Sequence, residues 1–348
     1  FPEAGAAVSV FSHPEFDHHE QLIFAHEAAS GLRAIIAVHS TRLGPSLGGC
    51  RMYPYASDTD ALTDALRLSR GMTYKAALAG LPFGGGKAVI LRAPHIDNRA
   101  SLFEAFGRCI ESLRGGYITS VDSGTGSADM DCVAQQTRYV TATSQAGDPS
   151  PLTAMGVLEG IRAAAAERLG SASLNGVRVA LQGLGSVGYA LAEMLVAEGA
   201  EVMAGDIDEG RVQLAVEELG IRALAAAAVS EAPCDIFAPC ALGGVLDATA
   251  IDNLRCAVVA GAANNQLQHA ADAERLLARG ILYAPDYVIN AGGLLHVALG
   301  WQGRSASEIA AQVMQIGPRL TDLFVESRAE ARTPLAIAER RAAALLAD

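Results

Sequence analysis

The sequence of 348 residues has few aromatic residues, which make up 5% of it, and few charged residues, which make up 18%. It has no run of lysines and arginines and a formal net charge of −12, so it lacks the basic surface that nucleic acids require. None of its six cysteines belongs to a C-x-x-C pair, and no apolar stretch is long enough to cross a bilayer. These absences argue against nucleic acids or membranes as partners and predict a cytoplasmic protein with reduced thiols.

The histidines show no metal-binding pattern. There is no H-E-x-x-H sequence, and no carboxylate completes a metal spacing around His18, His19 and His26. We therefore expect no metal site, and we expect these three histidines to lie at the surface.

Small and apolar residues are abundant, since 51% of the chain is hydrophobic and 36 residues are glycine. Tightly packed α/β layers suit this composition, and the length suits two domains. The clearest break is residues 144–151, where glycine, aspartate, serine and two prolines cluster as in a linker. We predict a first domain of residues 1–143, joined by the last helices from about 327 to 348, and a second domain of residues 144–326.

The patterns of the two domains differ. In the first, β-branched residues predict a strand at 32–41, with 48–55 as a candidate partner strand. Ser57, followed three residues later by Asp60, forms a capping pattern that opens a helix ending near Ala79. In the second, strands and helices alternate, which predicts parallel βαβ units.

A glycine-rich turn in the second domain has the form G-x-G-x-x-G, on Gly183, Gly185 and Gly188. It follows a strand predicted at 177–182 and opens a helix, which is the setting of a dinucleotide site. Asp206 comes 206 − 188 = 18 residues after the last glycine, where an acid accepts hydrogen bonds from the adenosine ribose. Since an acid there repels a 2′-phosphate, the pattern favours NAD over NADP.

Two lysines of the first domain stand in unusual settings. Lys75 lies near the end of the helix opened by Ser57, and Lys87 follows three successive glycines. Burial and a neighbouring ammonium both lower the pKa of a lysine toward neutrality, where it can act as a general base. The alternative is that both are surface side chains extending from the ends of a helix and a strand.

At this point the sequence resembles a known family. The segment G-M-T-Y-K-A-A-L-A-G-L-P-F-G-G-G-K-A, residues 71–88, is similar to the signature of the Glu/Leu/Phe/Val dehydrogenases, and the leucine dehydrogenases are the most similar branch. The resemblance covers about residues 22–345. It continues in residues 121–122, 127–131, 183–188, 238–244, 260–265 and 283–293.

The resemblance implies two α/β domains flanking a cleft, the first for substrate and oligomerisation and the second a Rossmann-type NAD-binding domain. It implies that Lys75 binds the substrate α-carboxylate, Lys87 activates water and Asp122 shuttles protons to the substrate nitrogen. Asn265 would fix substrate and nicotinamide, with Thr153 near the nicotinamide. Further residues that the resemblance assigns are Gly48 and Gly49 on the substrate side and Gly183, Leu184, Gly185, Ser186, Val187, Gly188, Asp206, Ile207, Cys240, Ala241, Ala262 and Asn264 on the cofactor side.

The side-chain pocket would be lined by Leu47, Met72, Leu294 and Val297. Glutamate-specific members have a lysine and a serine at the positions of Leu47 and Val297, and burying an unpaired carboxylate costs several kcal/mol. The resemblance therefore implies reversible oxidative deamination of leucine, valine or isoleucine to the 2-oxo acid, ammonia and NADH, by a homo-oligomer.

Two alternatives remain open: an aromatic amino-acid dehydrogenase on the same scaffold, and an NAD-binding regulatory protein without activity. Cys50, where threonine is common, and residues 123–126 depart from the family pattern. These departures leave the preferred amino acid open.

Overall fold

The computed structural model describes residues 10–347, which form two compact units. The first unit comprises the chain up to Gly147 together with the C-terminal residues from Leu345 onward. The second unit is Asp148–Ala344. The sequence division at 143/144 lies four residues earlier. The return to the first unit comes at Leu345 rather than near residue 327, because the helix Ile316–Glu330 packs on the helix Ser150–Leu169 within the second unit.

The first unit is built on a mixed sheet. Among the described residues the sheet has five strands in the order β1-β2-β4-β3-β5. Its elements are β1 (Gln21–Glu27), β2 (Leu32–Ser40), β3 (Ser46–Tyr53), α1 (Asp58–Leu78), β4 (Gly84–Leu91), α2 (Arg99–Ser112), β5 (Tyr117–Val121) and α3 (Ser127–Ala134).

The expectation that β3 pairs with β2 is wrong. The strand β3 runs parallel to β4 and β5 and lies between them, whereas β2 pairs antiparallel with β1 and β4. The reason is that α1 follows β3 and carries the chain over the sheet, so the next strand returns parallel. The predicted start of α1 is confirmed, because the Ser57 side chain accepts a hydrogen bond from the Asp60 backbone N–H at 3.1 Å.

The sheet of the first unit is apolar on both faces. Along β2, Ile36 and Val38 belong to the core that α2 and α3 cover, while Ile35 and Ala37 belong to the core under α1. A strand buried on both faces reads as a continuous apolar run, which is why residues 34–38 show no polar alternation.

The second unit has a parallel six-stranded sheet within the described residues, in the order β11-β10-β9-β6-β7-β8. Read from β6, this is the doubly wound order in which ligands bind where the strand order reverses, here between β6 and β9. The strands are β6 (Arg178–Gln182), β7 (Glu201–Gly205), β8 (Arg222–Ala223), β9 (Ile236–Pro239), β10 (Val258–Val259) and β11 (Leu282–Tyr283). The helices are α4 (Ser150–Leu169), α5 (Ser186–Ala197), α6 (Glu209–Leu219), α7 (Ala248–Asn253), α8 (Asp272–Ala278), α9 (Asp286–Ile289), α10 (Gly292–Trp301), α11 (Ala306–Met314), α12 (Ile316–Glu330) and α13 (Pro334–Ala347).

Candidate active site

The first unit contains an ion pair between a buried lysine and a half-buried aspartate. Lys87 lies within β4, is 4% exposed, and donates a hydrogen bond to Oδ2 of Asp122, which directly follows β5. The strand β3 runs between them, and a Cβ at Gly49 would lie 2.8 Å from Cβ and 3.1 Å from Oδ2 of Asp122. Glycine at position 49 therefore leaves the space through which the carboxylate reaches the lysine.

The charge of Asp122 is fixed by its neighbours. Burial alone would raise the pKa of Asp122, but the positive charges of Lys87 and Arg51 outweigh it and hold this pKa well below its ordinary value. The group is therefore a carboxylate that accepts a proton only when a partner changes.

The other predicted residues of the first unit lie on the elements around this pair. A Cβ at Gly48 would lie 3.5 Å from Cγ of Met72, and the preceding Leu47 is fully buried. Lys75, in the last turn of α1, is half-buried. The helix contacts the glycine run before Lys87, because a Cβ at Gly85 would lie 2.0 Å from the backbone nitrogen of Thr73, two residues before Lys75.

The composition of the sequence carries a signal for these lysines that no local motif shows. Lys75 and Lys87 are the only lysines among the 26 basic residues, and the other 24 are arginines. A guanidinium does not lose its proton in proteins, whereas an ammonium does. Lysine therefore stands only at the two positions to which the resemblance assigns a role for the amine, and arginine stands at every other basic position.

The glycines of the turn in the second unit differ in the space that surrounds them: there is room for a side chain at Gly185 and none at Gly188. A Cβ at Gly188 would lie 2.0 Å from the carbonyl oxygen of Gly183. At Gly185 the nearest described atom would be Nη1 of Arg211, 3.9 Å away. The helix α5 begins at Ser186, and its N-cap residue Gly185 makes no side-chain capping hydrogen bond. N–H groups at such a helix N-terminus can bind a phosphate.

The side chain of Asp206 is hydrogen-bonded to the backbone of this turn. Its carboxylate accepts hydrogen bonds from the backbone N–H of Leu184 at 2.6 Å and of Asp208 at 2.9 Å. Burial would raise the pKa of Asp206, but these backbone donors lower it below its usual value. The side chain of the following Ile207 is 93% exposed.

The segment after β9 reaches the same turn. A Cβ at Gly183 would lie 2.8 Å from Cβ of Ala241, and one at Gly188 would lie 3.4 Å from Cβ of Cys240. Burial raises the pKa of Cys240 to about 12, so its thiol is a small packing group and a poor nucleophile.

A buried asparagine that the sequence reasoning did not single out holds the segment after β10. The amide nitrogen of Asn290 donates to the carbonyl oxygen of Ala262 at 3.1 Å and to Oδ1 of Asn264 at 2.9 Å. The carbonyl oxygen of Asn265 accepts from Gly244 N–H at 2.7 Å, and Asn265 has a left-handed φ of 51°. The sequence feature that could have indicated Asn290 is its position in the Asn-Ala-Gly-Gly run, residues 290–293.

Thr153, Leu294 and Val297 come from two neighbouring helices of the second unit. Thr153 lies in the first turn of α4, and a Cβ at Gly293 in α10 would lie 2.8 Å from its hydroxyl oxygen. Leu294 follows directly and Val297 comes one turn later, so both apolar side chains lie on the same side of α10.

Three further expectations concern metals, membranes and histidines. Within residues 10–347 no group of three His, Cys, Asp or Glu residues is arranged to hold a metal ion. No helix of this part of the chain has the length and apolar character that crossing a membrane needs. The expected surface location of His19 is wrong, because its ring is buried and within 3.1 Å of the carbonyl oxygen of Leu66 and 3.0 Å of Oγ of Ser69.

The chain is similar to characterised dehydrogenases along nearly its whole length. Residues 19–139 match the Glu/Leu/Phe/Val dehydrogenase dimerisation domain, and residues 207–346 match the Glutamate/Leucine/Phenylalanine/Valine dehydrogenase family. Leucine dehydrogenase of Geobacillus stearothermophilus is 45% identical over 96% of this chain and 92% of that protein. Valine dehydrogenase of Streptomyces virginiae is 44% identical over 97% of this chain and 96% of that protein.

A solved structure agrees with these relatives. The crystal structure of L-tryptophan dehydrogenase from Nostoc punctiforme is 40% identical, has a TM-score of 0.84, and is matched over 94% of this chain and 96% of that one. The coverage is nearly complete in both directions, so the similarity extends over both units of this chain. The chain belongs to the Glu/Leu/Phe/Val dehydrogenase family, whose members are amino-acid dehydrogenases.

Proposed function

We propose that this chain catalyses the reversible, NAD-dependent oxidative deamination of leucine, valine or isoleucine to the 2-oxo acid, ammonia and NADH. The observation that carries the proposal is the buried pair of Lys87 and Asp122 in a chain with only two lysines. A base and a proton carrier in direct contact are what deamination through an attacking water needs.

The residues of the first unit divide this work. Lys75 gives the α-carboxylate a fixed positive charge. Once the hydride has left Cα, Lys87 takes a proton from the water that attacks the resulting imine carbon. Asp122 moves protons to and from the substrate nitrogen, which leaves as ammonia. Because Asp122 contacts Lys87 directly, a proton can pass between them without a water chain.

The residues of the second unit fit a dinucleotide. The uncapped first turn of α5 and the open space at Gly185 suit the pyrophosphate, and Asp206 suits the ribose hydroxyls. NAD supplies, when bound, the acceptor for the hydride that leaves the substrate Cα. Asn265 and Thr153 would hold its nicotinamide end, and the acid at 206 supports NAD over NADP.

The aliphatic substrate class is supported by the apolar residues Leu47, Met72, Leu294 and Val297 and by the names of the leucine and valine dehydrogenase relatives. We expect NADH formation at alkaline pH with leucine, valine and isoleucine, and none with glutamate. Turnover of glutamate above that of leucine would contradict the proposal. NAD binding without turnover of any amino acid would favour a regulatory protein instead.

An aromatic amino-acid dehydrogenase is a second candidate, favoured by the 40% identity to the tryptophan dehydrogenase structure. The same assay decides between them if phenylalanine and tryptophan are included. A kcat/KM for either above that for leucine and valine would select the aromatic function. If the aliphatic proposal is correct, Leu294→Ala should shift the preference toward phenylalanine, since a few methylenes of pocket volume are worth about 1–3 kcal/mol each.

The description of residues 19–139 as a dimerisation domain supports a homo-oligomer. Light scattering of the purified protein tests this, and a mass of about one chain at micromolar concentration would contradict it.

A further inference from the structure

Asp122 has a second cationic partner besides Lys87. Arg51 lies on β3 two residues after Gly49, on the same side of the strand, and its Nε donates to Oδ1 of Asp122 at 2.9 Å. Oδ2 accepts from Lys87, while Oδ1 also accepts from the Ser123 backbone N–H at 2.7 Å. Both oxygens of the Asp122 carboxylate therefore accept hydrogen bonds, and donors on two sides fix the orientation of the carboxylate.

Arg51 is itself held by a second carboxylate. Its Nη1 lies 3.0 Å from Oδ2 of Asp64 on α1, and the hydroxyl of Tyr55 donates to the same oxygen at 2.5 Å. Burial and the hydrogen bond to Asp64 raise the pKa of Tyr55, so its hydroxyl keeps the proton it donates. The planar guanidinium spans the two carboxylates, which an ammonium does not do.

The two cations beside Asp122 differ in chemistry. Under the proposed function, on which this inference rests, Lys87 becomes neutral when it acts as a base and then leaves Asp122 without that positive charge. A guanidinium keeps its proton throughout. Burial would lower the pKa of Arg51, but Asp122 and Asp64 raise it above its usual value.

We propose that Arg51 is a positioning residue of the reaction: it fixes the carboxylate of Asp122 and supplies a permanent positive charge beside it while Lys87 gains and loses its proton. Asp64 and Tyr55 hold the guanidinium in place for this purpose. The competing explanation is that Arg51 only ties β3 to α1 and to the segment after β5. A purely structural role predicts loss of stability without a change in the pH dependence of the reaction.

The test compares Arg51→Gln and Arg51→Lys with Arg99→Gln as the matched control. Arg99 forms a comparable pair with Asp129 in the same unit, with Nε–Oδ1 at 2.6 Å and Nη2–Oδ2 at 2.8 Å, and it does not contact Asp122. For each protein we would measure kcat/KM for leucine from pH 6 to 11, the Kd for NAD and the melting temperature.

Arg51 adds a permanent positive charge beside the Lys87–Asp122 pair, and its removal makes the loss of a further positive charge from that pair less favourable. The acidic limb of the Arg51→Gln profile should therefore move to higher pH, with kcat lowered about 10²-fold. The Kd for NAD should stay within about twofold. Arg51→Lys should restore part of the profile because it keeps the charge, and it also covers the case in which Arg51→Gln does not fold. Arg99→Gln should keep the normal profile.

An Arg51→Gln enzyme that is folded and active with an unmoved pH profile would overturn the proposal while leaving the proposed function intact. If the normal protein turned over no amino acid, the proposed function would fail and a second readout would still decide on Arg51. Acetic anhydride acylates neutral lysines, and Lys87 is one of only two lysine side chains, so mass spectrometry can follow it. Loss of the nearby cation in Arg51→Gln should move the acylation midpoint of Lys87 to higher pH, whereas Arg51→Lys should move it less. An unmoved midpoint in Arg51→Gln would exclude this role.

Discussion

Lys87 and Asp122 contact each other directly, and the side chains are 5% and 19% exposed. In this arrangement the lysine Nζ donates a hydrogen bond to Oδ2 of the carboxylate. Such a pair is stable only while both charges are present, since removing one leaves the other buried without a partner. The two atoms between which a proton would move are already in hydrogen-bond contact, which is a property that a proton-transfer site needs.

Replacing Lys87 tests this directly. Lys87→Ala should lower kcat by about 10²–10⁴ because the base is lost. The Kd for NAD should be nearly unchanged, since the glycine turn lies in the other unit. Lys87→Arg should lose comparable activity although it keeps the charge, because a guanidinium does not give up its proton. Activity within a few-fold of normal in either variant would refute the role of Lys87.

The glycines of the turn should respond differently to alanine. Gly188→Ala puts a Cβ 2.0 Å from a backbone oxygen and should destabilise the second unit as well as weaken NAD binding. Gly185→Ala meets no described atom nearer than 3.9 Å and should fold normally, yet it should weaken NAD binding at least about tenfold because its methyl occupies the pyrophosphate approach. Melting curves and NAD titrations separate the two effects.

Gly300→Ala, in α10 with no described atom within 4 Å of the added Cβ, is the control and should affect neither property adversely. Equal loss of stability in Gly185→Ala and Gly188→Ala would show that the turn has no open side.

Whether a feature could be predicted from the sequence depends on how far apart along the chain the interacting residues lie. The cap at Ser57 and the strand–turn–helix around Gly183 depend on residues a few positions apart, and the sequence displays them. The partners of β3 depend on the path of α1 across the sheet, which the residues of β3 do not encode. Strand patterning alone therefore assigned β3 to a neighbour that it does not have.

The same limit applies to the candidate site. Lys87 is conspicuous in the sequence because three glycines precede it. Arg51 can be recognised only from its contacts with Asp122, which is 71 residues away, and with Asp64, which is 13 residues away. His19 was misplaced for the same reason, since its buried partner Ser69 is 50 residues distant. Polar residues that act through distant partners carry no local pattern.

Asp206 offers a test of cofactor choice. Asp206→Ser removes the negative charge that opposes a 2′-phosphate, and Nη1 of Arg211 lies 4.0 Å from that carboxylate, where it can pair with the phosphate instead. We expect the ratio of kcat/KM for NAD to that for NADP to fall at least about tenfold. Glu209→Gln removes an exposed acid three residues further along the chain and controls for the loss of a negative charge. An equal fall in both variants would mean that Asp206 has no specific contact with the cofactor.

The last prediction concerns the pH dependence of stability and arises from a pair of buried histidines. His39 on β2 lies 4.8 Å from the His19 ring, between centroids, and 2.8 Å separates its Nδ1 from the hydroxyl oxygen of Thr73 on α1. Burial and the neighbouring His19 lower the pKa of His39 to about 4, with Arg70 acting in the same direction and Asp17 opposing it. Burial also lowers the pKa of His19.

An unfolded chain binds a proton at His39 near pH 6.5, where the folded chain does not. The unfolded state therefore gains protons first as the pH falls, so the stability present above pH 6.5 is lost progressively toward pH 4. Between pH 7 and pH 5 the expected loss in the free energy of unfolding from His39 is about 2 kcal/mol. Denaturant unfolding of the normal protein and His39→Asn at both pH values measures it.

His39→Asn should lose less stability than the normal protein over this interval, because asparagine does not titrate. His95→Asn is the control: the His95 side chain is 85% exposed, and its replacement should leave the pH dependence as it is in the normal protein. If His39→Asn and the normal protein lost the same free energy between pH 7 and pH 5, the buried histidine pair would not be the origin of the acid sensitivity. Since Thr73 precedes Lys75 by two residues, protonation of His39 would loosen the same helix that carries the proposed carboxylate-binding lysine.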